Sequence, residues 1–181
     1  GLVSDAMSGV YVWNSSGDKN QFYNCLFYNN TIYNTKRPAI SYSETSERKN
    51  FSFYNNIFVG EDSLIKGNKG VDIFLANDLW SMTKKFNIER VHDLSQWAKK
   101  NKQEILNGKV IGLNVKPGFR NPGDAMPTSV LSLKSFNQFN IPENSPLRNK
   151  GIDLYRLYRI KTGSIDFDQQ PAPIKGIGAS F

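Results

Sequence analysis

The chain has 181 residues, of which 39% are hydrophobic and 13% aromatic. This composition suits one domain with a sizeable core and excludes a disordered chain. No apolar run approaches the length of about 20 residues that a membrane-spanning helix needs. Lys and Arg number 23 against 16 Asp and Glu, giving a net charge of +7. That excess would attract nucleic acid, acidic polysaccharide or an anionic surface, or would only aid solubility.

The first residues lack the basic and apolar regions of a signal peptide. A strand-like run begins almost at once, at residues 9–13. Either processing has removed a signal peptide or the sequence starts inside a longer protein, and the early strand favours the second explanation.

Cysteine and histidine offer little chemistry in this chain. Cys25 is the single cysteine, which excludes an internal disulfide, and its apolar neighbours predict a buried, inert thiol. His92 is the single histidine, which argues against a zinc site with His and Cys ligands. No metal site is predicted.

An internal repeat is the strongest pattern in the first half of the chain. Residues 27–34 match residues 53–60, and residues 9–13 resemble residues 38–42 more loosely. Asn tolerates the left-handed backbone that corners without hairpins require, and β-branched residues favour strands. The repeat therefore predicts coils of short strands joined by Asn-rich turns. The phenylalanines that open the two matched segments are predicted to stack on one another.

Later segments predict how this structure ends. Residues 63–67 and 71–78 look like strands of a third coil. A helix is predicted from Leu94 to Asn107, since Asp93 and Gln96 have the spacing of a capping box.

We expect one domain over residues 1–181. Coils occupy residues 1–80, a helix-containing insertion occupies 81–108, and terminal strands and a cap occupy 109–181. A cap is expected because an open end would expose unpaired backbone groups and apolar side chains.

Four short motifs follow one another in an order that resembles a known family. They are Phe-Tyr-Asn-Asn (27–30 and 53–56), Leu-Ser-Gln-Trp leading to Lys-Pro-Gly-Phe-Arg-Asn-Pro (94–97 and 116–122), Asn-Ser-Pro-Leu-Arg-Asn-Lys-Gly (144–151), and the run from Asp-Phe-Asp to Ile-Gly-Ala (166–179). Together they resemble the C-terminal region of secreted bacterial proteins of the pectate-lyase-like superfamily. The chain departs from that pattern at Lys116, where an Asp is common, and at Lys175-Gly176.

The resemblance implies an all-β fold. It implies a right-handed parallel β-helix, here of about two to three coils, with one short α-helix and an irregular C-terminal cap. It also implies a secreted, periplasmic or cell-surface protein with a polysaccharide partner and further coils upstream. Many relatives are polysaccharide lyases or glycosidases, and Ca²⁺ assists some of them. The basic residues form no nucleic-acid-binding motif, so no nucleic-acid partner is expected.

Cations that could serve a polysaccharide lyase lie in two turns. Such an enzyme needs a base and positive charge beside the carboxylate of its substrate. Lys36 and Arg37 precede one predicted strand and Arg48 follows it, so these are the candidate catalytic residues. The alternative is a solvated cluster of turn residues. Hydrolysis would need a pair of carboxylates, and no spacing in the sequence selects one.

Candidate substrate-binding residues surround the same strand and its neighbour. Sugar rings could stack on Tyr11, Trp13 and Tyr42 if these residues face outward, and packing in the core is the alternative. Glu44 and Lys49 lie in the loop that follows. Oxygen atoms that could bind Ca²⁺ are present in Glu61, Asp62, Asp72 and Asp78, but no calcium-binding motif is found and no cofactor is predicted.

Two functions stay open on this reading. The chain is either part of an enzyme that degrades a polysaccharide, with an acidic one as a candidate, or a non-catalytic module that binds glycan or caps a longer β-helix. The sequence identifies no catalytic centre.

Overall fold

The computed structural model describes residues 2–4, 8–13, 21–43, 47–61, 63–67, 72–83, 86–122, 137–167 and 169–179. Regular structure consists mainly of short strands, with few helical residues. The strands are β1 (Leu2–Ser4), β2 (Val10–Val12), β3 (Gln21–Tyr23), β4 (Leu26–Tyr28), β5 (Thr31–Thr35), β6 (Ile40–Tyr42), β7 (Glu47–Lys49), β8 (Ser52–Tyr54), β9 (Ile57–Gly60), β10 (Ile65–Lys66), β11 (Ile73–Leu75), β12 (Asp78–Ser81), β13 (Ile105–Leu106) and β14 (Lys109–Val110). The helices are α1 (Leu94–Asn101) and α2 (Leu154–Tyr158).

Strands β1 to β12 pair in parallel, as expected for coils whose corners are not hairpins. In the described residues they form four sheets, which we name A to D in the order in which the chain meets them. Sheet A has the order β1-β5-β9-β12, sheet B β2-β6-β10, sheet C β3-β7 and sheet D β4-β8-β11. After D the chain returns to A, where each strand pairs with the strand of the preceding pass. We call one such pass a rung.

Asparagines make the corners between strands. Asn24, Asn29, Asn50 and Asn55 each follow a strand, and their φ angles lie between 50° and 59°. Asn adopts this left-handed conformation more readily than most residues because its short amide bonds to nearby backbone. The predicted Asn-rich turns are therefore confirmed.

Aromatic rings fill the interior behind sheet D. Phe27, Phe53 and Phe74 occupy paired positions in β4, β8 and β11. Their rings are stacked, with centroids 4.9 Å and 4.7 Å apart. The predicted stacking of Phe27 on Phe53 is confirmed and extends to a third ring. Trp97 of α1 meets Phe74 edge-on at 6.0 Å, so the helix closes this end of the interior.

A row of side-chain amides connects the rungs beside these rings. Asn30 donates from its backbone N and its Nδ2 to Oδ1 of Asn56, at 3.0 Å and 2.9 Å. Asn56 makes the same two bonds to Oδ1 of Asn77, both at 2.9 Å. We call this row, Asn30–Asn56–Asn77, the amide ladder.

Residues 103–115 cover the edge of the last rung. The Gln103 amide accepts from the backbone N of Phe74 and donates to the backbone O of Asp72, both at 2.7 Å. The Gln103 side chain thereby makes the two bonds that a neighbouring strand would make to the edge at β11. At β12, the backbone O of Leu113 accepts from the backbone N of Leu79, and the backbone N of Leu113 donates to the backbone O of Asn77, both at 2.8 Å. These bonds satisfy backbone groups that an open edge would leave unpaired.

Helix α1 begins as predicted but ends sooner. Asp93 accepts a bond from the backbone N of Gln96 at 2.7 Å, which confirms the predicted N-cap. The predicted end at Asn107 is wrong, because the helix ends at Asn101 and Lys102 takes a left-handed conformation with φ of 55°. The antiparallel hairpin β13–β14 follows.

The expectation of one helix is also wrong. Helix α2 has Asp153 as its N-cap, which accepts from the backbone N of Arg156 at 2.9 Å. Its 5 residues are too few to show helical periodicity in the sequence. Within the described chain, no helix has the length and apolar character needed to cross a membrane.

C-terminal segments cover the outer face of sheet A. Ile57 and Val59 of β9 point away from the interior and are buried on that face. The residues that bury them are Phe119, Phe139, Ile141, Leu147 and Ile177. Sheet B has no such cover among the described residues.

Candidate functional site

The outer face of sheet B carries a row of side chains in register. Tyr11, Ser41 and Lys66 are paired positions in β2, β6 and β10. Their strand neighbours Val12 and Ile40 lie in the hydrophobic core. Because successive side chains of a strand point to opposite faces, the row points outward.

This row forms part of a cleft of about 700 Å³. Tyr11 is 63% exposed and Lys66 is also exposed, whereas Ser41 lies in the floor. Trp13, two residues beyond Tyr11 and 59% exposed, flanks the cleft without lining it. The lining residues are Ser8, Tyr11, Arg37, Pro38, Ser41, Tyr42, Ser43 and Lys66.

Positive charge dominates the described part of this cleft. Arg37 and Lys66 are exposed cations, and the described lining includes no carboxylate and no imidazole. Aromatic surface beside cations can hold a neutral ring next to an anionic group. The described residues of this lining provide no pair of carboxylates for proton transfer.

The candidate catalytic residues are divided between different parts of the molecule. Arg37 lines the cleft, and Lys36 is exposed in the same turn without lining it. Arg48 lies on β7 in sheet C and is buried, with its guanidinium 3.6 Å from the centre of the Tyr42 ring in the cleft wall. The structure therefore exposes Lys36 and Arg37 to solvent but not Arg48.

Arg48 is held in a buried ion pair. Its Nε donates to both carboxylate oxygens of Asp72, at 3.0 Å and 3.1 Å. Its Nη2 donates to Asp72 at 3.1 Å and to the backbone O of Gly67 at 3.0 Å. Only 2% of the Arg48 side chain and none of the Asp72 side chain is exposed. These contacts give Arg48 a structural role and occupy the Asp72 carboxylate that could have bound Ca²⁺.

Tyr42 does not meet the condition of facing outward. It is 5% exposed, and the guanidinium of Arg48 lies 3.6 Å from the centre of its ring. One ring face is thus covered, and burial raises the pKa of the Tyr42 hydroxyl above its usual range. Tyr42 forms part of the cleft wall and is not free to stack on a sugar.

The other predicted binding residues have different outcomes. Trp13 is exposed beside the cleft. Lys49 is exposed on sheet C and does not line the cleft. Glu44 lies outside the described residues, as does Asp62.

Two buried carboxyl groups lie at the capped end, away from the cleft. Burial raises the pKa of Asp78 to about 8, although a bond from the backbone N of Val115, at 3.0 Å, opposes the shift. Burial also raises the pKa of Glu104 to about 8, against bonds from Asn77. Neither residue is exposed to solvent, so they are not placed to act on a polymer. The described residues contain no group of three or more His, Cys, Asp or Glu side chains that could hold a metal ion.

Sequence reasoning missed Ser41 and Lys66, which complete the outward row with Tyr11. Lys66 lies in the predicted strand 63–67, where alternation with the apolar Ile65 points it outward. Its alignment with Tyr11 was not visible, because the loops between the strands of sheet B differ in length from one rung to the next. Comparisons with protein-family models, curated proteins and solved structures give no match to this chain.

Proposed function

We propose that this chain is the C-terminal part of a right-handed parallel β-helix whose sheet B face binds an acidic polysaccharide outside the cell. The observation that carries the proposal is the open cleft on sheet B, where exposed Tyr11 and Trp13 stand beside Arg37 and Lys66. The cyclic order of parallel sheets supports the β-helix, as do the amide ladder and the stacked interior rings. The extracytoplasmic location rests on the sequence resemblance.

The geometry of the row suits an extended polymer. Adjacent strands of a sheet are about 4.8 Å apart, so Tyr11, Ser41 and Lys66 lie at regular steps along the direction of stacking. A sugar chain that follows this direction would meet a new side chain at each step. Aromatic rings supply the apolar surface for sugar faces, and hydroxyl groups supply hydrogen bonds.

Charge favours an acidic chain over a neutral one. A carboxylate brought to Arg37 or Lys66 would form a charge-assisted bond, which is stronger than a bond between neutral groups. Because both cations are exposed, salt would screen part of this attraction. Retention that persists at higher salt would therefore report the aromatic and hydrogen-bonding contacts.

Binding without catalysis is the form of this function that the cleft supports best. The described lining offers no acid–base pair, and Arg48 is engaged with Asp72. A lyase would need Arg37 or Lys66 as its base. Incubation with the retained polymer tests this alternative, since a lyase releases products with unsaturated ends that absorb ultraviolet light.

Affinity electrophoresis tests the proposal. The chain would be run through gels that contain pectin, alginate or a sulfated glycan, and through gels with neutral xylan or glucan, at two salt concentrations. We expect retardation by one acidic polymer at both concentrations. Trp13→Ala and Lys66→Gln should weaken it, while the exposed controls Tyr155→Ala and Lys99→Gln on the helices should not. Equal migration in every gel, or retardation by all polyanions that salt abolishes, would contradict a specific cleft.

A further inference from the structure

Helix α2 turns one face toward sheet D and the other toward solvent. Leu154 is buried, and the ring of Tyr158 stacks on the ring of Tyr54 with centroids 4.8 Å apart. Residues four positions apart lie on the same face of a helix, so Leu154 and Tyr158 define the inward face. The intervening positions 155–157 therefore point away from the sheet.

The outward positions of α2 combine apolar and cationic side chains. Tyr155 is 53% exposed and Leu157 is 42% exposed. Arg156 lies between them and is exposed, as is Lys161 just beyond the helix. Single apolar residues at a surface are ordinary, whereas several close together mark a surface that binds a partner.

A turn beside α2 adds a second pair of this kind. The backbone N of Gly176 donates to the backbone O of Pro173 at 3.0 Å, which places Ile174 and Lys175 at the tip of the turn. Ile174 is 74% exposed, and Lys175 is exposed as well. The backbone N of Gly151 donates to the backbone O of Lys175 at 3.0 Å, so the turn lies beside the chain that enters α2. The surface that we call the α2 patch consists of Tyr155, Arg156, Leu157, Lys161, Ile174 and Lys175.

Positive charge at the α2 patch is not balanced by neighbouring carboxylates. Residues 154–161 include three cations and no Asp or Glu. Asp153, which precedes them, is engaged as the N-cap of the helix. No carboxylate of the described chain forms an ion pair with Arg156, Lys161 or Lys175. The patch is therefore complementary in charge to an anionic partner.

The apolar side chains decide between two anionic partners, nucleic acid and a lipid surface. A base of single-stranded nucleic acid would stack on Tyr155, but the guanidinium of Arg159 lies 5.5 Å from the centre of that ring and covers one side of it. Leu157 and Ile174 are aliphatic and offer no stacking surface. At a bilayer surface, aliphatic and aromatic side chains enter the headgroup region, while long cationic side chains reach the lipid phosphates.

We propose that the α2 patch binds the surface of a bilayer that contains anionic lipids. Leu157 and Ile174 supply the apolar contact, and the cations supply the preference for anionic lipid. The patch shares no residue with the cleft on sheet B, so it does not depend on the function proposed there.

Sedimentation with vesicles tests the proposal. The unaltered chain would be mixed with vesicles of phosphatidylcholine, or of phosphatidylcholine with phosphatidylglycerol, at physiological salt. We expect it to sediment with the mixed vesicles and to stay largely in solution with the neutral ones. Ile174→Ser removes an apolar side chain at the tip of the turn and should weaken binding about tenfold. Urea unfolding confirms that this exposed substitution leaves stability unchanged.

Two double variants separate the α2 patch from the overall charge of the chain. Arg156→Gln with Lys161→Gln, and Lys99→Gln with Lys100→Gln on α1, each remove two exposed positive charges. The first pair should weaken binding to the mixed vesicles about twentyfold, and the second less than about twofold. The proposal is overturned if the unaltered chain does not bind the mixed vesicles, or if both pairs weaken binding equally. It is also overturned if the first pair abolishes binding of a single-stranded DNA oligonucleotide and leaves vesicle binding intact.

Discussion

Asn77 donates from Nδ2 to Oε1 of Glu104 at 2.7 Å, and with this bond the amide ladder ends in a carboxyl group. Glu104 accepts at the position where, one rung earlier, Asn77 accepts from Asn56. The oxygens of Glu104 accept from the backbone N and from Nδ2 of Asn77, which suits the last member of a row that donates toward it. The end of the ladder is therefore chemically different from its repeat.

The buried carboxyl groups predict a stability that falls as the pH rises. Burial raises the pKa of both Asp78 and Glu104 to about 8, whereas carboxyl groups of an unfolded chain titrate near about 4. Between these values the folded chain binds more protons than the unfolded chain. The stabilising contribution is complete below the unfolded pKa and is lost as the pH rises through the folded pKa. We expect a decrease of up to about 1.4 kcal/mol per pH unit for each carboxyl group, measured by urea unfolding from pH 4 to pH 8.

The double variant Asp78→Asn, Glu104→Gln is the control for this dependence. Neutral side chains of the same shape cannot titrate, so the slope over this range should flatten. An unchanged slope in the double variant would assign the dependence to other groups.

Removing one member of the amide ladder should leave buried groups unsatisfied. Asn56→Ala takes away the acceptor for two bonds from Asn30 and the donor to the backbone O of Phe27. We expect a loss of about 1–3 kcal/mol for each buried group left without a partner, in the free energy of unfolding. The exposed Asn144→Ala should change it by less than about 0.5 kcal/mol. Similar values for the two variants would mean that the ladder is not a stabilising feature.

The stacked rings predict a large effect of truncation at their centre. Phe53 is fully buried and contacts a stacked ring on both sides, so Phe53→Ala should reduce the free energy of unfolding by about 3–5 kcal/mol. Ile174→Ala, at a side chain that is 74% exposed, serves as the comparison and should have little effect. Denaturant unfolding of both variants measures the difference.

The buried ion pair predicts that Arg48 acts on stability rather than on binding. Arg48→Met leaves the Asp72 carboxylate buried without its partner and should cost about 3–5 kcal/mol. The double variant Arg48→Met, Asp72→Leu replaces both charges with apolar groups and should recover most of that loss. The folded double variant should still be retarded in polysaccharide gels like the unaltered chain. If the double variant is fully stable but is no longer retarded, Arg48 belongs to the binding site.

Local residue patterns and the repeat offset in the sequence predicted the corners and one contact between rungs. The Phe-Tyr-Asn-Asn repeats predicted the turns from residue type, and their constant offset predicted the stacking of Phe27 on Phe53. The capping box at Asp93 gave the start of α1 for the same reason. Local chemistry is sufficient for such features.

Features that depend on contacts between distant segments were not predictable. Arg48 looked like a loop cation because Asp72, which neutralises it, lies in the next rung. The sequence predicts a helix past Asn101 because Ile105 and Leu106 continue its apolar face and Gly108 suits a C-terminal stop. The edge of the last rung instead uses the side chains of Gln103 and Glu104 as hydrogen-bond partners. At this point the hydrogen bonds to the last rung outweigh the local preference for a helix.

The direction of the amide ladder has a consequence for how this architecture can vary. Each asparagine donates the same two bonds, from its backbone N and its Nδ2, to Oδ1 of the next asparagine. A whole unit can therefore be duplicated or deleted without altering the residues that terminate the series. The number of rungs can thus change without a change in the segment that covers the last rung. The same covering segment could end chains that have different numbers of rungs.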